Sequence, residues 1–406
     1  MRTLERAGKN SKIIAKCKDG YLVTNDKNAK LEGKLFTASI INEKGIYLTG
    51  TYPIEKILRN EKIQWEPMEA DCADVINFRQ QNYSKDSLMG FATGDALGVP
   101  VEFCLKEQVR KIGLKEMVGN DTPLNFKSRW SEYIPSGSWS DDTSMLISSM
   151  DSIIQMKGTI HYEDIMKKFM EWRYEAKYTS IDMTFGVGGI ISKALANYQK
   201  GMSPLECGGK GTWDNGNGSL MRILPFSLYC IKKDMALEET IEFIGKASAL
   251  THSHDISKMS CVMYTEYLRN ICISHNAKVA FREMIKIDYK KYFSEEAVFA
   301  HRRLLTPVFA FISGEFINSS GYVVDTLEAV LYSVMNTNNY EEAVLTAINL
   351  GYDTDTVAGI TGSIAGILYG YENIPERWIC KLRKRDYLEG LAETFEETLE
   401  TICKTQ

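Results

Sequence analysis

Two periodicities divide the chain. Lys12–Thr24 alternates apolar and polar positions about a Lys18-Asp19-Gly20 turn, and Asp-Gly between apolar flanks is a hairpin signal. Leu35–Ile41 and Gly45–Thr49 give a second pair about Asn42-Glu43-Lys44-Gly45, and Pro53 and Pro67 bracket a short helical stretch near Ile54–Leu58. The pattern predicts a small β-rich module over residues 1–75, with roughly four or five strands.

From about Asn77 the period becomes helical. Ser84–Leu97 is apolar at helical spacing and stops near Gly98, ahead of Pro100. Helices are predicted at Asp142–Met156, Tyr162–Trp172, Gly188–Gln199, Leu220–Cys230, Leu237–Leu250 and Asp255–Ile273. Further ones fall at Glu295–Ser313, Thr326–Met335, Glu341–Leu350, Thr354–Tyr369 and Leu388–Cys403. Only nine prolines interrupt 406 residues, which suits long helices. The fold class is therefore mainly α: one large all-α domain over 76–406 behind the small β-rich module, with its chemistry on the loops that open the helices.

Charge sharpens the division. Residues 1–70 hold 13 Lys and Arg against 9 Asp and Glu (+4), leaving 35 against 44 (−9) for the rest. A mildly basic leader on an acidic body lacks the concentrated basic face of a dedicated nucleic-acid binder. Nine scattered cysteines without a C-x-x-C pair read as reduced thiols, Met1–Ser11 has no apolar secretory stretch, and no run of 18 apolar residues suggests a membrane span. A cytoplasmic location is expected, with no membrane as partner.

The candidate chemistry lies in two acidic clusters, each opening an apolar helix. Ser140-Asp141-Asp142-Thr143 precedes Met145-Leu146-Ile147, and Asp353-Thr354-Asp355-Thr356 precedes Val357-Ala358-Gly359-Ile360. Capping alone explains one carboxylate per helix start. Two carboxylates within three residues, twice over, repel one another unless a cation lies between them. Mg²⁺ and Mn²⁺ prefer carboxylate, hydroxyl and water oxygens, and four Asp with the hydroxyls of Ser140 and Thr356 supply such a set. Capping and a hard-metal site both remain open from the residues themselves, and no Cys/His spacing suggests zinc.

Glycine-rich segments accompany the clusters. Gly90-Phe91-Ala92-Thr93-Gly94-Asp95-Ala96-Leu97-Gly98 puts small residues on a helix and leads to a loop bearing Glu102. Phe185-Gly186-Val187-Gly188-Gly189 and Asp214-Asn215-Gly216-Asn217-Gly218-Ser219 open helices, where backbone N–H groups suit a phosphate or pyrophosphate. Each segment alone also reads as a plain turn.

In order along the chain, Gly94-Asp95-Ala96-Leu97-Gly98 with Glu102, Ser140-Asp141-Asp142-Thr143, Asn215-Gly216-Asn217-Gly218-Ser219-Leu220-Met221-Arg222, Leu250-Thr251-His252 and Asp353-Thr354-Asp355-Thr356 resemble the ADP-ribosylglycohydrolase family. The resemblance spans residues 84–370 and leaves the first 70 outside. It implies an all-α fold with two Mg²⁺ ions, or Mn²⁺, held by Ser140, Asp141, Asp142, Asp353, Asp355 and Thr356. It implies catalytic roles for Glu102, Asp141, Asp142 and Asp355, with Glu102 a mobile carboxylate near the scissile bond. Phe185, Gly186, Gly188, Gly216, Asn217, Gly218 and Ser219 would line the ADP-ribose cleft, and His252 would sit near the ribose or phosphates. His161, His254, His275 and His301 are given no role.

Two positions depart from the family pattern. Ser140 stands where Thr is usual, which keeps the hydroxyl; Tyr352 follows Gly351 where a second Gly is usual, which could narrow the cleft or contact substrate. The activity implied is removal of ADP-ribose from a modified acceptor, an ADP-ribosylated protein with arginine linkage foremost. Serine-, nucleic-acid- or small-molecule-linked ADP-ribose conjugates are the close variants. A different class of reading makes the chain an immunity or binding protein whose residues 1–70 dock on and block an ADP-ribosyltransferase.

Overall fold

The computed structural model describes residues 82–404 and, ahead of them, only the backbone of five short strands: β1 (Lys12–Cys17), β2 (Gly20–Thr24), β3 (Phe36–Asn42), β4 (Leu48–Tyr52) and β5 (Glu66–Asp71). The β-rich module expected at residues 1–75 otherwise lies outside the described residues.

From Tyr83 onward the chain is helical. In order it forms α1 (Tyr83–Gly98), α2 (Lys106–Ile112), α3 (Asp141–Gln155), α4 (Tyr162–Glu175), α5 (Gly189–Gln199), α6 (Leu224–Lys232), α7 (Leu237–Ala249) and α8 (Asp255–Ser274). There follow α9 (Ala277–Met284), α10 (Glu295–Ala300), α11 (Val323–Met335), α12 (Tyr340–Ile348), α13 (Thr354–Tyr369), α14 (Glu376–Ile379) and α15 (Arg385–Lys404). The helices expected near Ser84, Asp142, Tyr162, Leu237, Asp255 and Thr354 are present. The helix expected over Glu295–Ser313 is not continuous: α10 stops at Ala300, and Pro307, which lacks an N–H to extend it, starts a separate 3₁₀ turn, Pro307–Phe311. The one expected from Leu220 starts at Leu224, behind a 3₁₀ turn at Asn217–Ser219. Short α2, α9 and α14 have no counterpart in the sequence pattern.

Two helices are buried around their whole circumference, α1 from Asp86 to Gly98 and α13 from Thr354 to Ile367. A helix without a polar face belongs in the middle of a domain, and these two form its axis against each other. Their glycines set the separation. A Cβ at Gly90 would lie 2.2 Å from the Gly362 carbonyl oxygen, one at Gly94 2.1 Å from that of Ala358, and one at Gly366 2.0 Å from that of Asp86. Backbone thus packs directly on backbone. The Thr354 hydroxyl donates to the Gly98 carbonyl (2.8 Å), tying the start of α13 to the end of α1. Around this pair, α11 and α12 flank α13, while α15 packs on α1 and α3. The Tyr340 hydroxyl on α12 donates to the Gly90 carbonyl at 2.6 Å.

No single described helix is long and apolar enough to cross a membrane. Seven cysteines fall within the helical part and all are free thiols.

Candidate active site

The site forms where α1 ends and α3 and α13 begin. Because α1 and α13 touch through glycine, the loop after α1 delivers Glu102 onto the first turn of α13. One carboxylate oxygen from each of Glu102, Asp353 and Asp355 lies within 4.8 Å of the others, and all three residues are buried.

The second cluster is positioned by a buried acid in the last turn of α1. The Asp95 carboxylate accepts the Ser140 backbone N–H (3.0 Å) and, through Oδ2, the Thr143 backbone N–H (3.1 Å) and hydroxyl (2.6 Å). It therefore does the work of an N-cap from another helix. Ser140 is the local cap as well, accepting the Asp142 N–H at 3.2 Å and donating its hydroxyl to Asp142 Oδ2 at 2.9 Å.

The capping explanation holds for Ser140 and not for Asp353. Asp353 occupies the N-cap position of α13, yet its side chain makes no capping bond. Its Oδ2 instead accepts from Asn217 Nδ2 (2.7 Å), which also donates to the Thr326 hydroxyl (2.9 Å). Asp142 Oδ1 is buried with no hydrogen-bond partner. No lysine or arginine among the described residues forms a salt bridge to Asp95, Glu102, Asp141, Asp142, Asp353 or Asp355.

The electrostatic result is a cluster strained by its own charge. Burial pushes the Glu102 carboxyl up to about 7, with Asp353 adding in the same direction, and pushes Asp95 up to about 6. Asp141, Asp142 and Asp355 are driven well above the usual carboxylate range, by burial first and then by neighbouring acids. Buried, unpaired oxygens of this kind fit a hard divalent cation. An acidic cluster able to hold a metal is thus present.

The cleft walls come from the glycine segments. Gly186 has φ +84°, and a Cβ there would lie 2.2 Å from Asp141 Oδ1, so the Phe185–Gly188 loop lies directly against the acidic cluster. Phe185 is buried with Val99 and Ile134, and its ring centre lies 5.4 Å from that of Trp130 in a tilted pair. The Trp130 indole N–H donates to the Glu102 carboxylate. Gly188 caps α5.

Gly216, Asn217 and Gly218 form a further wall, whose glycines pack against Ile190 and Ile191 at the start of α5. His252 is buried beneath this loop: Cβ atoms at Gly216 and Gly218 would meet its ring at 3.5 and 2.9 Å. Arg222 donates to the Thr251 hydroxyl (2.7 Å), which bonds His252 Nδ1 (2.9 Å), and burial with Arg222 nearby pushes His252 down to about 3. His252 is therefore a neutral ring supporting the loop. Ser219 points into the core, where its hydroxyl accepts from Ser248 at 3.0 Å. Of the other histidines, His301 is buried against Ser260 and His254 accepts the Ile256 N–H at the start of α8.

Tyr352 sits at the mouth with nearly half its surface exposed. It and Phe103 both have left-handed backbone (φ 57° and 61°) and are stitched together, Phe103 N–H to the Tyr352 carbonyl (2.6 Å) and Tyr352 N–H to the Cys104 carbonyl (2.8 Å). These two bonds join the segment after Glu102 to the segment before Asp353. Strained backbone of this kind concentrates at functional sites.

A cavity of about 680 Å³ opens beside the Gly216 loop, walled by Trp213, Phe299, Arg302, Gly321 and Tyr322. It adjoins the acids, since a Cβ at Gly321 would be 3.3 Å from Asp353 Oδ2.

Asp95 and Trp130 escape the reading of sequence. Asp95 carries a signal, an acid in the apolar second half of a helix, between Gly94 and Gly98. Trp130 lies in an aperiodic loop, and nothing in the sequence links it to Glu102.

The ADP-ribosylglycohydrolase family model matches residues 79–404. The ADP-ribosylarginine hydrolase Tri1 of Serratia proteamaculans is 32% identical over 345 residues, covering 82% of this chain and 84% of that protein. The ADP-ribosyl-(dinitrogen reductase) glycohydrolase of Rhodospirillum rubrum is 27% identical, covering 73% and 88%. A solved structure of an ADP-ribosylglycohydrolase-related protein complex superposes with a TM-score of 0.62 at 25% identity, covering 79% of this chain and 98% of that one.

Proposed function

The chain belongs to the ADP-ribosylglycohydrolase family, and from that membership we propose that it hydrolyses the glycosidic bond between ADP-ribose and an acceptor, an arginine side chain on a modified protein. The observation that carries this reading is the disposition of Asp353. It heads a helix without capping it and joins Glu102 and Asp355 in a buried carboxylate group with no basic side chain among the described residues in a salt bridge to it. The arginine linkage is supported by the Serratia proteamaculans relative.

Ser140, Asp141, Asp142, Asp353, Asp355 and Thr356 would hold two Mg²⁺ ions, with Mn²⁺ as the alternative. Ions bound there supply positive charge that polarises hydroxyl and water oxygens of the reactants. The Asn217–Asp353 bond fixes one carboxylate, and the Asp95 cap fixes the helix bearing two others, so the acidic face is set before substrate arrives. The cavity beside Tyr322 would take the adenosine end, which places the far ribose over the acids.

As the bond from the anomeric carbon to the acceptor nitrogen breaks, positive charge grows on the sugar and the carboxylates oppose it. Water adds its hydroxyl to that carbon, and its proton leaves through a carboxylate to the departing nitrogen. Glu102 suits this transfer because it stands on a loop rather than a helix start and is steadied by Trp130.

The test is incubation of the purified protein with Mg²⁺ and arginine-, serine- or nucleic-acid-linked ADP-ribose. Free ADP-ribose released from the arginine-linked substrate and abolished by chelation is expected. Release from the serine-linked form alone overturns the arginine assignment, and release from none overturns the activity.

We also propose that residues 1–75 form a distinct β-rich module and 76–406 one catalytic domain in a cytoplasmic protein. The strand order β4-β3-β2-β1-β5, antiparallel throughout, supports the first. The family match beginning at residue 79 supports the second, and the free thiols support the third.

A further inference from the structure

One positively charged side chain stands at the mouth of the acidic cluster. The Arg129 guanidinium carbon lies 4.7 Å from the centre of the Trp130 ring and 5.1 Å from that of Phe103. Both rings belong to the immediate surroundings of Glu102: Phe103 follows it in the chain, and Trp130 donates to its carboxylate. Two aromatic faces beside a carboxylate make a receptor for a planar delocalised cation.

The walls of this receptor are held by bonds that do not involve Arg129. Phe103 is anchored through its backbone N–H to the Tyr352 carbonyl, and Trp130 by the Glu102 bond and by Phe185. Arg129 itself is exposed and makes no salt bridge among the described residues. The Trp130 ring and the Phe103 backbone are thus held without Arg129, whose exposed side chain can be exchanged for another cation.

We propose that Phe103 and Trp130 form the acceptor subsite, which takes a guanidinium group, and that Arg129 fills it as an internal competitor until the acceptor's guanidinium displaces it. The proposal deepens the arginine reading above and rests on it for its biological use. Before cleavage the subsite holds the modified arginine against Glu102. After cleavage the returning Arg129 helps expel the free arginine side chain.

Two measurements on the full-length protein test it. The first is the ratio of kcat/KM for arginine-linked over serine-linked ADP-ribose. Removing the competitor in Arg129→Ala should raise the ratio by about fivefold, the size of one exposed cation–π contact. Phe103→Leu, which keeps apolar bulk without a π face, should lower it. A ratio that falls or stays level in Arg129→Ala overturns the proposal, because Arg129 is then a contributor or a bystander.

The second is calorimetric binding of agmatine, a small guanidinium compound, to the unmodified protein and to Arg129→Ala. Tighter binding to the variant, lost again in the Arg129→Ala/Phe103→Leu double variant, supports the subsite whether or not arginine-linked ADP-ribose is hydrolysed. Equal binding to both, alongside normal hydrolysis of the arginine-linked substrate, overturns the subsite and leaves the activity standing.

Discussion

Asp95 caps a helix that is not its own: its Oδ2 takes both the backbone N–H and the hydroxyl of Thr143, at 3.1 and 2.6 Å. The bond carries the geometry of α1 into α3, and so aligns Glu102, on the loop after the one, with Asp141 and Asp142 at the start of the other. Asp95→Ala would strand the buried N–H groups of Ser140 and Thr143 and one buried hydroxyl. Each stranded buried donor costs about 1–3 kcal/mol, so a loss of about 3 kcal/mol in urea unfolding is expected, with divalent-ion binding lost as well. Asp95→Asn keeps one acceptor oxygen and should fall between the two. An Ala variant as stable as the parent would remove Asp95 from this role.

The acids that react should be separable from the acids that hold the fold. Asp142→Asn and Asp355→Ala each remove a carboxylate that burial and neighbouring acids disfavour in its charged form. Hydrolysis should drop by a factor of about 100 or more, on the scale of losing a charge-stabilising group. The unfolding midpoint of the metal-free protein should not drop with it. Retained turnover in either variant with Mg²⁺ present would defeat the two-ion account.

Metal removal should reverse the sign of the pH response. Glu102 is raised from 4.5 to about 7 in the folded protein, so the metal-free fold binds its proton more tightly than the unfolded chain does. That contribution is complete below the unfolded value and is lost as pH rises through about 7. Metal-free protein should therefore lose stability between pH 4.5 and 7, as Asp141, Asp142 and Asp355, raised in the same direction, add to the trend. Saturating Mg²⁺ should flatten or invert the slope, and thermal unfolding at stepped pH with and without EDTA reads it directly.

How much of this is legible in the sequence follows from the range of each interaction. The helix starts at Asp141 and Thr354 are visible because capping and periodicity act within a few residues. The glycines at 90, 94 and 98 announce a close contact without naming its partner, which lies far along the chain at residues 354–366. The break after Ala300 is hidden because the apolar residues on both sides of it, up to Ile312, preserve the helical look. Asp95 stands within a recognisable motif and its task is still invisible there, because nothing local distinguishes an acid that caps a distant helix. Trp130 and the Phe103–Tyr352 stitch depend wholly on tertiary placement, and no spacing rule reaches them.

A different acid secures the far end of α3, the helix that carries Asp141 and Asp142. Asp151 Oδ2 accepts from Lys168 (2.7 Å) and from the Tyr178 hydroxyl (2.5 Å), joining α3 to α4 and the segment after it. Burial raises its carboxyl, but the bonds from Lys168 and Tyr178 outweigh that and leave it below the ordinary value. Its contribution is present above the unfolded carboxylate range and disappears as pH falls through the folded value. Asp151→Asn strands the buried Lys168 ammonium and should cost about 3 kcal/mol at neutral pH. The difference from the parent should shrink in acid, which parallel urea titrations at pH 7 and pH 3 would show.

Glycine substitutions give the most direct reading of the α1–α13 contact, because the same change has opposite expected signs at two places. Gly390 lies inside α15 with open space where a Cβ would go. Gly390→Ala should therefore stabilise the fold by about 0.5–1 kcal/mol through backbone entropy and helix propensity. Gly94→Ala gains the same propensity in α1, yet its methyl would lie 2.1 Å from the Ala358 carbonyl oxygen, and a backbone atom cannot swing aside. The helices must separate, at about 3 kcal/mol by the usual scale of overpacking. Separation also draws Glu102 away from Asp353 and Asp355, so turnover should fall further than the lost stability accounts for. The decisive comparison is activity at a temperature where both variants remain folded by circular dichroism: Gly390→Ala should match the parent, and Gly94→Ala should be strongly impaired. Equal activity in the two would show that the spacing of α1 and α13 does not set the site.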